Sequence, residues 1–154
     1  MKHLAILAVF LAPFLLAEEL AKAPPVLAFR LVFPAGKEGV PKLPVMGTGG
    51  TVCLEPAVLM DAKSVAVAKA HRDHLGGFQI ALTFTPAGTK AFADLTARNV
   101  DRRLAVLVDG KVLSAPVIKD RISGGKAVIA GSFSRKQAKA LADRINDAVK
   151  QAKK

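Results

Sequence analysis

A chain of 154 residues, 51% of them hydrophobic, can bury one core of ordinary size, and this excludes a disordered segment. Its 23 Lys and Arg against 12 Asp and Glu give a formal net charge of +11. A single cysteine excludes both an internal disulfide framework and a multi-cysteine zinc module.

Met1-Lys2-His3 is a short basic start, and residues 4–16 are apolar. A spanning helix needs about 18 to 20 apolar residues, so the layout over residues 1–17 is that of a signal peptide. Two cleavage points compete. Ala17 follows the apolar run, whereas Ala21-Lys22-Ala23 satisfies the small-x-small rule but precedes Pro24. The cut after Ala17 is preferred to the cut after Ala23, because proline is awkward beyond a scissile bond. No later segment approaches spanning length. The expectation is a periplasmic or secreted protein, membrane-peripheral at most, with Cys53 between Val52 and Leu54 as a buried structural thiol.

Residues 26–33 (VLAFRLVF) read as a strand ended by Pro34, and the Gly/Pro-rich residues 34–50 as a loop. A short strand over 51–55 stops at Pro56. Residues 64–71 alternate as a half-buried strand, Gly76-Gly77 turn the chain, and residues 78–85 (FQIALTFT) alternate with period two. Thr85 then caps a helix with Pro86 in its first position. Residues 103–108 lead to Asp109-Gly110, a strong hairpin signal, and the return strand from Lys111 meets Pro116, which marks an edge or bulge. Gly124-Gly125 precede a strand over 127–130. Ser134 and Gln137 form a capping box for a last helix with Ala138, Leu141, Ala142, Ile145, Ala148 and Val149 at helical spacing. This order predicts an α+β fold, a mainly antiparallel sheet with two helices packed on one face. The expected organisation is a strand and loop over 18–50, the main unit over 51–150 and a basic tail over 151–154.

Few residues suggest chemistry. His71, Asp73 and His74 are the one cluster that could bind a metal, but a zinc site needs three or four converging ligands, and a strand end separates the two histidines. Ser114 lacks a nucleophile-elbow context, and the glycine pairs match no phosphate-binding loop. No catalytic residue and no cofactor is expected. Residues 101–154 hold 13 basic and 5 acidic residues, many on the last helix. With no Trp or Tyr for stacking, a nucleic-acid partner is not expected. Arg135, Lys136, Lys139 and Arg144 are the candidate partner surface.

Three motif groups carry a family resemblance. They are Phe84-Thr85-Pro86-Ala87-Gly88, then Phe92-Ala93-Asp94-Leu95-Thr96, then Arg103-Leu104-Ala105-Val106-Leu107-Val108-Asp109-Gly110-Lys111-Val112-Leu113-Ser114-Ala115-Pro116-Val117-Ile118. With Ile122-Ser123-Gly124-Gly125 and the Ala-Leu-rich helix that follows Ser134, the series resembles the head subdomain of the first periplasmic domain of SecD, a subunit of the Sec protein translocase. The resemblance covers roughly residues 51–148. It implies an α+β head that holds or guides emerging polypeptide without catalysis. SecD's transmembrane helices, which couple transport to the proton gradient, have no counterpart in these residues. The expected partner is therefore a protein or unfolded polypeptide in the envelope, met at a sheet edge near Pro116 or in a groove beside the helices. The alternatives are an envelope-associated structural protein using its basic C-terminal helix, or a metal-dependent factor at His71, Asp73 and His74.

Overall fold

The computed structural model describes residues 24–35, 37–47 and 49–154. The expected signal peptide over 1–17 and its cleavage points at 17 and 23 lie outside the described residues. The elements run β1 (Leu27–Leu31), β2 (Leu43–Pro44), β3 (Thr51–Val52), β4 (Met60–Asp61), a 3-10 turn (Ala62–Ser64), β5 (Val65–Arg72) and β6 (Phe78–Phe84). They continue with α1 (Pro86–Arg98), β7 (Leu104–Val108), β8 (Lys111–Ser114), β9 (Lys126–Phe133) and α2 (Arg135–Ala152).

Among the described residues, two helices and antiparallel ladders make the α+β fold that the sequence predicts. The described strands divide among three sheets, ordered β4-β1-β7-β8, β5-β6-β9 and the small ribbon β2-β3. The division follows from hydrophobic pattern. In β7 (LAVLV) no polar residue alternates with the apolar ones, and all five residues are buried. A strand of that kind needs cover on both faces. One face, with Leu104, Val106 and Val108, joins Leu27 and Phe29 of β1, Ile80 and Leu82 of β6, and both helices in the main core. The other face, with Ala105 and Leu107, packs with Val45, Val52 and Leu54 in a smaller core beneath the ribbon. β1, expected in a segment apart from residues 51–150, pairs with β7 over its whole length, from Leu27 opposite Val108 to Leu31 opposite Leu104.

Local chemistry sets the helix starts. The Thr85 hydroxyl accepts a hydrogen bond from the Gly88 N–H at 3.0 Å, with Pro86 in the first turn. Phe92 of α1 meets Phe29 of β1 and Phe84 of β6 in a cluster with ring centroids 4.6 to 6.1 Å apart. Gly88 lies so close to the 3-10 turn that a β-carbon there would collide with the Ser64 carbonyl oxygen. Ser134 and Gln137 form the expected reciprocal capping box, and α2 buries Ala138, Ala142, Ile145, Ala148 and Val149. The helix includes Gln151 and Ala152, so only Lys153 and Lys154 of the expected tail lie beyond it.

Asp109 and Gly110 have φ of 48° and 75°, the positive pair that a two-residue hairpin turn requires. Asp109 has a second role. Arg144 of α2 donates to its carboxylate from Nε at 2.9 Å and from Nη2 at 2.8 Å, tying the hairpin tip to the helix. This hydrogen-bonded pairing holds the Asp109 carboxyl below its ordinary value of 3.8 and raises Arg144 above its own.

Two predictions follow from these contacts. Gly88→Ala should destabilise the protein by about 1–3 kcal/mol through overpacking against Ser64, measured by urea unfolding. Because the folded-state pKa of Asp109 is lowered, the pair stabilises the fold above the ordinary carboxylate value. That contribution is lost as pH falls through the lowered value. Arg144→Gln should therefore lower the Tm at pH 7, and the gap to wild type should close on acidification below pH 3.8. A gap that does not change with pH would rule out this linkage.

Candidate functional site

The site is built on β5, an edge strand of its sheet. β5 pairs with β6 on one side, with Ala68 opposite Leu82, Ala70 opposite Ile80 and Arg72 opposite Phe78. At Ala68 the other side is taken by a side chain. The Asn146 Oδ1 accepts from the Ala68 N–H at 2.8 Å, and Asn146 Nδ2 donates to the Ala68 carbonyl at 2.9 Å. The carboxamide thus stands where the peptide group of a further strand would be. Antiparallel strands alternate the direction of their backbone groups, so Ala70 and Arg72 turn their N–H and C=O the same way as Ala68.

Beyond Asn146 the edge opens into a groove of about 850 Å³ between β5 and the N-terminal half of α2. Ala68, Ala70 and Phe78 from the sheet and Ala142 from the helix line it. Among the described residues, four basic ones, Lys69, Arg72, Arg135 and Lys139, surround it with the single carboxylate of Asp143. Lys139 donates to Asp143 at 2.7 Å, an exposed i,i+4 pair.

The structure separates the four predicted surface residues. Arg135 and Lys139 line the groove, Lys136 is exposed outside its lining, and Arg144 is engaged by Asp109. Lys69, Arg72, Asp143 and Asn146 were missed by the sequence reading. Asn146 carried a usable signal, because a polar residue four positions after Ala142 falls on the helix's apolar stripe.

His71, Asp73 and His74 do not converge. Asp73 Oδ1 accepts from the N–H groups of Leu75 and Gly77, both at 2.8 Å, and so shapes the β5–β6 turn. His71 Nε2 lies 2.7 Å from Gln79 Nε2 on the neighbouring strand. Among the described residues no group of three or more His, Cys, Asp and Glu side chains is placed to hold a metal. Cys53 is buried. Near Pro116 the chain stays attached to β7, with the Leu104 N–H donating to the Pro116 carbonyl at 2.9 Å. An apolar cleft of about 340 Å³ opens there, with Val117, Ile122 and Val128 exposed at its rim. Among the described residues no helix is long and apolar enough to cross a membrane.

Comparison with known proteins places this geometry. The family described as SecDF, P1 head subdomain, matches residues 40–148. The chain is 44% identical over 84 residues to protein translocase subunit SecDF of Thermus thermophilus, covering 54% of this chain and 11% of that protein. It is 45% identical over 89 residues to protein translocase subunit SecD of Acidaminococcus fermentans, covering 58% of this chain and 21% of that one. A solved structure of SecDF, a membrane component that enhances protein export, superposes with a TM-score of 0.64 at 33% identity, over 77% of this chain and 60% of the other. The chain thus spans about a fifth or less of these two full-length relatives. With that family matching more than half of its residues, the chain belongs to the SecDF P1 head subdomain family.

Proposed function

We propose that this chain is a non-catalytic, polypeptide-binding module of the cell envelope, periplasmic or secreted, that serves protein export. Family membership supports the link to export, since the relatives it matches are translocase subunits. The observation that carries the binding reading is the open groove beside β5, where Arg135 and Lys139 meet a sheet edge that no further strand covers among the described residues. A sheet edge next to a helix is a recurrent way to receive an extended peptide, because backbone hydrogen bonds bind without demanding one sequence. Binding an emerging segment there would oppose its return towards the membrane.

The alternative of an envelope-associated structural protein using its basic C-terminal helix is less well supported. Along α2, Lys139, Arg144 and Lys150 each face a carboxylate, from Asp143, Asp109 and Asp147 respectively. These pairs neutralise the middle of that face.

A photo-crosslinking residue at Lys69 or Lys139, both exposed, tests the binding reading directly. On addition of an unfolded exported polypeptide, adducts should form at both positions well above those at Glu38, an exposed loop residue outside the groove lining. Adducts no stronger than at Glu38, with none elsewhere on the chain, would overturn it.

A further inference from the structure

We propose that the groove receives its polypeptide as an added strand, hydrogen-bonded to the backbone of Ala70 and Arg72, and that it selects acidic segments. This rests on the reading of the chain as a polypeptide-binding module and specifies its site, mode and preference.

The pairing argument begins at Asn146. Its carboxamide makes both hydrogen bonds that a neighbouring strand would make to Ala68. The edge of β5 is thus already geometrically suited to pairing, and one position of it is filled from within. The next two outward-facing positions, Ala70 and Arg72, line the groove. The small side chains of Ala68, Ala70 and Ala142 leave room for a backbone to approach. Both ends of the site are closed. Asn146 occupies the edge at Ala68, and beyond Arg72 the ladder ends in a turn where the Asp73 N–H donates to the Gly77 carbonyl at 2.9 Å. Two outward residues offer at most about four backbone hydrogen bonds, each contributing roughly 1 kcal/mol net. That suits a short, reversible grip on a passing chain.

The preference for acidic segments comes from charge. Among the described residues, Lys69, Arg72, Arg135 and Lys139 border the groove against Asp143 alone. Edge strands often carry lysine to discourage pairing with other strands. Such a guard repels a cationic or uncharged strand more than an anionic one, which would find cations on both walls. An incoming carboxylate could also take Asp143's place as partner of Lys139.

The test uses three ten-residue peptides that alternate Val with Glu, Gln or Lys. On binding the Glu peptide, the Ala70 and Arg72 amides should exchange at least about tenfold more slowly by NMR, since an opened edge amide becomes paired. The Lys peptide should bind at least about tenfold more weakly than the Glu peptide. Replacing both exposed cations, Arg135→Glu with Lys139→Glu, should erase that preference. Ala70→Pro should abolish Arg72 protection, because it removes a donor that the β5–β6 ladder does not use. If Ala70→Pro fails to fold, amide protection in the wild-type protein still decides the matter. Unchanged Ala70 and Arg72 amides at saturating Glu peptide, or equal binding of the Glu and Lys peptides, would overturn the proposal. Capture of unfolded polypeptide without these signatures would sink the strand-pairing mode and leave the broader reading standing. No capture anywhere on the chain would remove both.

Discussion

The burial of β7 on both faces is the constraint from which the rest of the architecture follows. Five consecutive apolar residues, Leu104 to Val108, cannot lie on a sheet with one side open to water. Fully burying a Leu or Val side chain is favourable by about 1.5–3 kcal/mol, so leaving one face of this strand uncovered would forfeit several such contributions. The second sheet and the helices cover one side. The β2-β3 ribbon covers the other, although its strands are only two residues long. The ribbon is held at its tip, where the Met46 and Gly47 N–H groups donate to the carbonyls of Val112 and Leu113. There a β-carbon at Gly47 would collide with the Gly131 backbone, and one at Gly131 would collide with the Phe133 ring. A stretch rich in glycine and proline, which reads as a loop in isolation, is thus recruited as the lid of a second small core.

The same logic produces the candidate site. Among the described residues the second sheet has three strands, so β5 and β9 are both edges. α2 follows β9 directly and runs under the sheet towards the 3-10 turn, where Ala148 and Ala152 approach Ala62 and Lys63. Helix and edge strand meet closely at Asn146 and Ala68, and between there and Arg72 they enclose the groove. One polar residue on an otherwise apolar helix stripe closes one end of it. The free edge is thus a by-product of how a helix covers a short sheet, with basic side chains around it.

Much of this was legible in the sequence because the relevant physics is local. Thr85 and Pro86, the Ser134–Gln137 box and the Asp109-Gly110 turn act within four residues of themselves, and all three occur where they were expected. Period two in β6 and helical spacing in α2 identified their buried faces correctly. The partition into sheets was not legible, since pairing β1 with β7 joins residues about 75 positions apart and no local signal reports it. The groove was half legible. Arg135 and Lys139 stood out as charges on an amphipathic helix, but Arg144 resembled them until Asp109, 35 residues earlier, claimed it. Lys69 and Arg72 stood on a strand whose edge position depends on partners that the sequence does not name.

The sequence by itself determined where the helices begin, where the main hairpin turns, which faces of β6 and α2 are buried, and the family resemblance carried by that ordered series of motifs. These rest on short-range backbone preferences and on hydrophobic periodicity, both of which are written in neighbouring residues. Only the tertiary structure decided which strand is left as an edge, which cations it brings to the groove and which it pairs elsewhere, and that Asn146 fills one place on that edge. Those depend on long-range pairing, where one residue's role is set by another that chain folding brings beside it.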